Sequence, residues 1–142
     1  MEKSIEEKNI SWQAAHALVE SVVEAAIEMD VKVNVAVVDS GGHLAAFLRM
    51  PGSAFHSVDI AINKAYTAAS FGLPTSGWQP VADSMSALSQ NGLFKTERLV
   101  PCGGGLAIED DGQRIGGIGV SGASEQEDEQ LAQLALDTLN KN

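Results

Sequence analysis

Apolar residues recur at helical spacing between residues 11 and 29, and this pattern predicts a first helix. Ser11 precedes the pattern, so its side-chain oxygen is expected to cap the helix. Charged residues, among them Glu20 and Glu24, occupy the opposite side. The expected apolar face consists of Trp12, His16, Val19, Val23 and Ile27, with Ala15, Val22 and Ala26 beside them.

Residues 32 to 50 are typical of two strands joined by a tight turn. The turn covers Asp39 to Gly42, and the return strand covers residues 44 to 48. Because the first strand is apolar on both faces, we expect it to be covered on both sides. Its inward residues are Val33, Val35 and Val37 on one face and Ala36 and Val38 on the other.

The pattern between residues 57 and 72 predicts a second helix, which Gly72 and Pro74 end. The small residues Ala61 and Ala68 would let this helix approach a sheet closely. Its expected apolar stripe is Val58, Ile62, Ala65 and Ala69.

Three glycines, residues 103 to 105, separate two short apolar runs in the last third of the chain. Asp110-Asp111-Gly112 predicts the turn of a second hairpin. A closing helix is expected to begin at Ser124, because Glu127 three residues later completes a capping box. Its expected buried residues are Leu131, Leu134, Ala135 and Leu139.

The order of elements is therefore helix, two strands, helices, two or three strands, helix. In the middle of the chain, residues 81 to 90 predict a short helix and Asn91-Gly92 predicts a turn. Tight hairpins imply antiparallel pairing, and helices on a doubly apolar sheet predict a three-layer α/β/α sandwich of the α+β class. A chain of 142 residues is expected to form a single domain, residues 1–142.

The stretch GIGVSG, residues 117 to 122, has the spelling of a dinucleotide-binding motif. That motif needs a turn after a strand and a second strand carrying an acidic residue about 20 residues later. Here the closing helix follows, so we predict no NAD site. Gly117 and Gly119 are instead expected inside a strand, where a helix packs on them or a ligand approaches them.

The formal net charge of −10 argues against a nucleic-acid or anionic-membrane surface, since both need a positive field. The first ten residues lack the basic start and apolar stretch of a signal peptide. The single cysteine, Cys102, cannot form an internal disulfide. These features together predict a cytoplasmic protein.

Several segments together resemble the GlcG/HbpS-like heme-binding family, which includes the C-terminal domain of PduO-type corrinoid adenosyltransferases. They are VAVVDSGGHLAAFLRMPGS, Asn63-Lys64-Ala65, Thr67-Ala68, Gly103-Gly104 and IGGIGVSGASEQEDEQLA. The resemblance covers about residues 11 to 140 and implies a profilin-like fold with a five-stranded antiparallel sheet. It also implies assembly into homotetramers or octamers. The chain departs from the family after its double glycine, where members often carry proline and this chain has Gly105-Leu106-Ala107.

The resemblance implies that a histidine of the first helix ligates heme iron, which points to His16. A neutral imidazole on an apolar face suits that role, and a packed histidine in the core or a subunit interface is the alternative. Arg49 and Lys64 match family positions and are candidates to hold the heme propionates or another carboxylate.

Asp39 also matches a family position and is expected to join Arg49 and Lys64 at one end of the sheet. Its alternative role is to cap the turn that follows it. His56, Gly117 and Gly119 are further candidates for a pocket, whereas His43 is expected to be solvated.

The segment Glu125, Glu127, Asp128 and Glu129 has the residue types of a metal site. Acidic residues in the first turn of a helix are also stabilised by the helix dipole, and we favour that interpretation. Cys102 has no base beside it in sequence, so a small buried thiol is expected.

Three functions follow from these observations. The first is a homo-oligomeric protein that binds heme or a related tetrapyrrole. The second is a small accessory protein or enzyme for an oxygenated metabolite of glycolate, diol or glycerol pathways, since some members of the family that the chain resembles sit among such genes. The third is a purely structural assembly module.

Overall fold

A computed structural model describes residues 1–142. The strands are β1 (Asn34–Asp39), β2 (Leu44–Arg49), β3 (Gly105–Asp110) and β4 (Gln113–Ser121). The helices are α1 (Trp12–Glu28), α2 (Ser57–Phe71), α3 (Trp78–Asp83), α4 (Ala87–Leu93) and α5 (Glu125–Asn140). The strands form one antiparallel sheet in the order β2-β1-β4-β3, which confirms the α+β class.

Both predicted hairpins are confirmed, since β1 pairs with β2 and β3 pairs with β4. The two hairpins meet in the middle of the sheet through antiparallel pairing of β1 with β4. In the second turn Asp111 and Gly112 have φ angles of 51° and 76°. Two successive positive φ angles match the twist of the strands that a two-residue turn connects.

Helices cover both faces of the sheet. On one face α1 and α5 pack over Val35, Val37 and Ile118 and form the main core. On the other face α2 packs over Ala36 and Val38. The two-sided burial predicted for β1 is therefore confirmed.

The sheet has four strands rather than the five that the resemblance implied. The apolar pair Leu99-Val100 joins no strand, and its contact with α2 is made through Thr67. The Val100 N–H donates to Thr67 Oγ1 at 3.1 Å, and the Thr67 hydroxyl donates to the Arg98 carbonyl at 3.0 Å. Pro101 follows and has no N–H to donate to a ladder.

The predicted bounds and Ser11 cap of α1 are confirmed, but its predicted apolar face is buried only in part. Trp12, His16 and Ile27 are exposed, because the buried face is centred on Ala15 and Val22 rather than on His16. More than half of the residues of this helix are apolar. Periodicity alone therefore does not determine which side of the helix meets the sheet. The buried residues are Ala15, Leu18, Val19, Val22 and Ala26.

Two smaller expectations are also wrong. Asn91-Gly92 lies inside α4, because Ser86 caps this short helix through the Ser89 N–H and the helix continues to Leu93. In α5 the capping box of Ser124 and Glu127 is confirmed, but Leu134 is exposed and Ala132 is buried in its place.

Gly117 and Gly119 lie inside β4, as predicted, and α2 packs directly on them. A Cβ atom at Gly117 would collide with the Ala65 carbonyl and lie 2.9 Å from the Ala69 nitrogen. A Cβ atom at Gly119 would collide with the Ala61 carbonyl. Close packing of a helix therefore explains these glycines, and no space for a ligand remains beside them.

Candidate functional site

The outer side of α1 carries an apolar ridge that contains a histidine. Trp12 is 71% exposed and Ile27 is 65% exposed. His16 is exposed one helical turn after Trp12, and Val23 is half-buried two turns further along the helix. We name Trp12, His16, Val23 and Ile27 the α1 ridge.

The sheet ends beside α1 at β2, an edge strand with one row of unpaired backbone groups. Leu48 in β2 lies opposite Val35, whose side chain belongs to the core beneath α1. Leu48 therefore lies on the α1 face of the sheet, and it is exposed. The α1 ridge and the edge strand together present apolar surface on one side of the molecule.

Asp39 caps the first hairpin turn. Its Oδ1 accepts the backbone N–H groups of Gly41 and His43, each at 2.9 Å, and lies 3.1 Å from Nδ1 of the His43 ring. Burial acts to raise the pKa of Asp39, but these backbone N–H groups and the His43 ring hold it below its ordinary value. His43 itself is exposed.

Asp39 and Arg49 lie at opposite ends of the first hairpin, so the expectation that they converge is wrong. Arg49 pairs with Asn34, the first residue of β1, whereas Asp39 is its last. At about 3.3 Å per residue, the two positions are roughly 16 Å apart. The Arg49 guanidinium instead donates to the Ser53 carbonyl at 2.7 Å.

Lys64 is buried in an ion pair and does not present its ammonium group at the surface. It is 3% exposed, and its Nζ donates to Asp128 Oδ2 at 3.2 Å and to the Val120 carbonyl at 2.9 Å. Burial raises the pKa of Asp128, although the Lys64 ammonium and the Ala123 N–H act to lower it. Because α2 and α1 pack on opposite faces of the sheet, Lys64 and His16 do not share a site within one chain.

His56 precedes α2, makes no capping hydrogen bond and is exposed. It joins no cluster of polar side chains. Of the predicted site residues, only His16 therefore lies on an exposed apolar surface.

The acidic segment has separate structural roles. Glu127 belongs to the capping box, Asp128 pairs with Lys64, and Glu129 accepts the Ser76 hydroxyl at 2.6 Å. No group of three or more His, Cys, Asp or Glu side chains in the chain is arranged to hold a metal ion.

Cys102 is exposed rather than buried. Partial desolvation and the neighbouring Glu125 carboxylate raise the pKa of its thiol. The thiol is therefore protonated at neutral pH and is not an activated nucleophile.

A polar cleft of about 460 Å³ lies where α3, α4 and the start of α5 meet. Trp78 and Phe94 form part of its wall, and Glu125 and Glu129 line it from α5. Sequence analysis missed this cleft because residues 75 to 96 have no clear periodicity. The one feature of the sequence that could have indicated the cleft was Trp78, a tryptophan in a polar segment.

The family model for the haem degrading protein HbpS-like family matches residues 10–137. The chain belongs to this family. It is 35% identical to an uncharacterized 15.0 kDa protein in the dhaT-dhaS intergenic region of Citrobacter freundii, with 99% of each chain covered.

Two solved structures support this membership. The crystal structure of the Klebsiella pneumoniae protein ORFY has a TM-score of 0.91 and 34% identity, and the match covers 100% of this chain and 98% of that one. The crystal structure of a PduOC:heme complex has a TM-score of 0.84 and 33% identity, with 93% and 96% covered. None of the five helices in this family member has the length and hydropathy of a membrane span.

Proposed function

We propose that the protein binds heme or a related tetrapyrrole on the α1 ridge, with His16 as the axial ligand of the iron. The observation that carries this proposal is an exposed imidazole one helical turn from the exposed apolar side chain of Trp12, on the same side of α1 as the exposed Ile27. Imidazole is a common ligand of heme iron. The heme bound by PduOC, a relative of the same fold, supports the same class of ligand here.

The residues of the α1 ridge fit this group. His16 offers a nitrogen donor to iron, and Trp12, Val23 and Ile27 offer apolar surface to a porphyrin. A bound heme would supply a redox-active iron. Arg49 is the exposed cation of the edge strand, and it would meet propionates of a heme held by a neighbouring copy, because it lies apart from His16 within one chain.

Replacement of His16 by alanine is expected to abolish the Soret shift of hemin titrated into the protein. The side chain is exposed, so helicity and thermal stability should stay close to the wild type. His43→Ala and His56→Ala serve as controls, because both remove an exposed histidine away from the α1 ridge. An undiminished shift in the His16 variant would exclude His16, and no shift in the wild type would exclude heme.

We also propose a homo-oligomer, a tetramer or an octamer, that acts in the cytoplasm and has the profilin-like fold implied by the family. A heme on the α1 ridge of one copy would keep one face in water, and a second copy would cover it. Light scattering should give a multiple of 14.9 kDa. Trp12→Glu should lower that mass by placing a charge in the apolar contact, whereas a wild-type monomer at micromolar concentration would contradict the proposal.

The alternative function is action on a small oxygenated metabolite. The pocket expected for it is not formed in the structure. Asp39, Arg49 and Lys64 are separated in the structure and each has a structural partner. The polar cleft beside α5 is a separate cavity of small-molecule size.

A further inference from the structure

Arg98 has a backbone conformation that is unusual for an arginine. Its φ angle is 69°, in the left-handed region, and the only other non-glycine residues there are Asp30 and Asp111. Aspartate tolerates this region because its short side chain can bond locally, whereas arginine is rare in it. The conformation is held from α2, since the Thr67 hydroxyl lies 3.0 Å from the Arg98 carbonyl oxygen and accepts the Val100 N–H at 3.1 Å. A strained residue that its surroundings keep in place is typical of binding sites.

The guanidinium group of Arg98 is also fixed by α2. Its Nε donates to Asn63 Oδ1 at 2.9 Å, and its Cζ lies 3.6 Å from the centre of the Tyr66 ring. The ring is packed against the first hairpin turn, where a Cβ atom at Gly42 would come within 2.8 Å of it. Because Asn63 is three residues before Tyr66 and four before Thr67, one side of α2 holds both the backbone and the side chain of this arginine.

The outer end of this guanidinium group has no partner within the chain. An arginine has five N–H donors, and Arg98 uses only the one on Nε. None of the three ion pairs involves it, although the chain has 19 acidic residues and 9 lysines and arginines.

The other two arginines of the chain are used differently. Nη2 of Arg49 donates to the Ser53 carbonyl at 2.7 Å. Nη1 of Arg114 donates to the carbonyls of Ala69 and Ser70, each at 2.9 Å, at the end of α2. Both therefore spend an Nη atom on the backbone of the protein. Arg98 alone combines a fixed guanidinium group with two unpaired Nη atoms, and the residue is exposed.

We propose that Arg98 binds the oxyanion of a small molecule, a carboxylate or a phosphate group, through its two Nη atoms. The planar fork of a guanidinium group matches two oxygens of such a group. Because Nε is already bonded to Asn63, the oxyanion is held end-on by Nη1 and Nη2. The stacking on Tyr66 fixes the side chain before the ligand arrives, which reduces the entropy lost on binding.

This site goes beyond the proposed heme function and does not depend on it. Arg98 is held by α2, which packs on the face of the sheet opposite to α1. The oxyanion site and the α1 ridge therefore lie on different sides of the chain.

Titration of the protein with sodium acetate and with sodium phosphate at pH 7 tests the site. Proton–nitrogen NMR spectra follow the side chain of Arg98 and the backbone of residues 97 to 100, with sodium chloride keeping the ionic strength constant. We expect shifts that saturate at about millimolar concentration, as for a single charge-assisted contact. Saturation by acetate assigns a carboxylate, and saturation by phosphate alone assigns a phosphate group. Chloride alone should produce no saturable shift.

Four variants test the assigned geometry, followed on the backbone signals of residues 97 to 100. Arg98→Gln should weaken binding of the saturating anion at least about tenfold, because charge-assisted hydrogen bonds are lost. Arg98→Lys keeps the charge but lacks the fork, so binding should weaken at least about threefold. Tyr66→Leu should also weaken it about threefold, since the guanidinium group loses its support. Lys3→Gln is the matched control, because it removes an exposed charge elsewhere and should leave the affinity unchanged.

The proposal is overturned if neither anion gives a saturable shift well above millimolar concentration. Equal affinity in the wild type and Arg98→Gln would also overturn it, and so would equal affinity in Arg98→Lys, because a general charge effect needs no fixed fork. Reduced stability of Arg98→Gln without anion binding by the wild type would mean that Arg98 only anchors its loop to α2. His16→Ala should retain anion binding and Arg98→Gln should retain the response to hemin, which separates a failure of this site from a failure of the heme proposal.

Discussion

Replacement of Lys64 by methionine is expected to destabilise the protein by about 3–5 kcal/mol at pH 7. The change leaves Asp128 as a buried carboxylate without its cation, and it removes the donor to the Val120 carbonyl. Methionine keeps most of the length and the apolar stem of lysine. The loss of stability therefore reflects the missing charge rather than a cavity. The free energy of unfolding measured in urea checks this result.

The stability lost in the Lys64→Met variant should become smaller as the pH falls. Burial raises the pKa of Asp128 in the folded protein, and the variant lacks the cation that opposes this effect. A group whose folded-state pKa is raised contributes stability below its unfolded pKa and loses that contribution as the pH rises through the folded pKa. Unfolding from about pH 7 to pH 5 should therefore show the variant approaching the wild type, and a difference independent of pH would contradict this account.

The double variant Lys64→Met with Asp128→Leu provides the control. Replacing both members of a buried pair by apolar groups of similar size is often neutral, because no buried charge remains. The double variant should therefore recover most of the stability lost by Lys64→Met alone. A further loss in the double variant would mean that the contact of Asp128 with the Ala123 N–H, rather than the ion pair, dominates.

Replacement of Gly119 by valine is expected to cost about 3 kcal/mol or more, at or above the upper end of typical overpacking effects. A Cβ at this position meets the Ala61 carbonyl and the Ala65 nitrogen, which are helix backbone and cannot rotate away. The helix α2 would have to leave the sheet. Thermal unfolding monitored by circular dichroism checks the loss, and an unshifted midpoint would show that α2 does not pack on β4.

Gly92→Ala is the matched control for that experiment. No atom lies within 4 Å of a Cβ at Gly92, which is inside α4. Alanine there is expected to raise stability by up to about 1 kcal/mol through helix propensity. Opposite effects of two glycine substitutions would separate the packing role of Gly119 from the general effect of removing a glycine.

The exposed α1 ridge and the polar cleft are two different kinds of surface on one small chain. The ridge is open and apolar, and its proposed ligand would need a second copy to exclude water. The cleft is formed within one chain and is acidic.

Local signals in the sequence determined the elements that depend on neighbouring residues. The Ser11 cap, the Asp39 turn and the capping box of Ser124 and Glu127 each act within four residues, and all three are confirmed. The continuous apolar run of β1 also predicted burial on both faces. The family followed from segments spread over nearly the whole chain.

Only the tertiary structure decided which residues meet across long stretches of chain. Lys64 pairs with Asp128, 64 positions away, and no local pattern specifies that partner. Strand pairing separated Asp39 from Arg49, and packing against the sheet turned His16 outward while burying Leu18. The cleft around Trp78 likewise joins α3 and α4 to α5. Local hydrogen bonds and periodicity can be recognised in a short window of sequence. Which face of a helix is buried, and which distant residue a side chain meets, depends on the packing of all the elements of the core together.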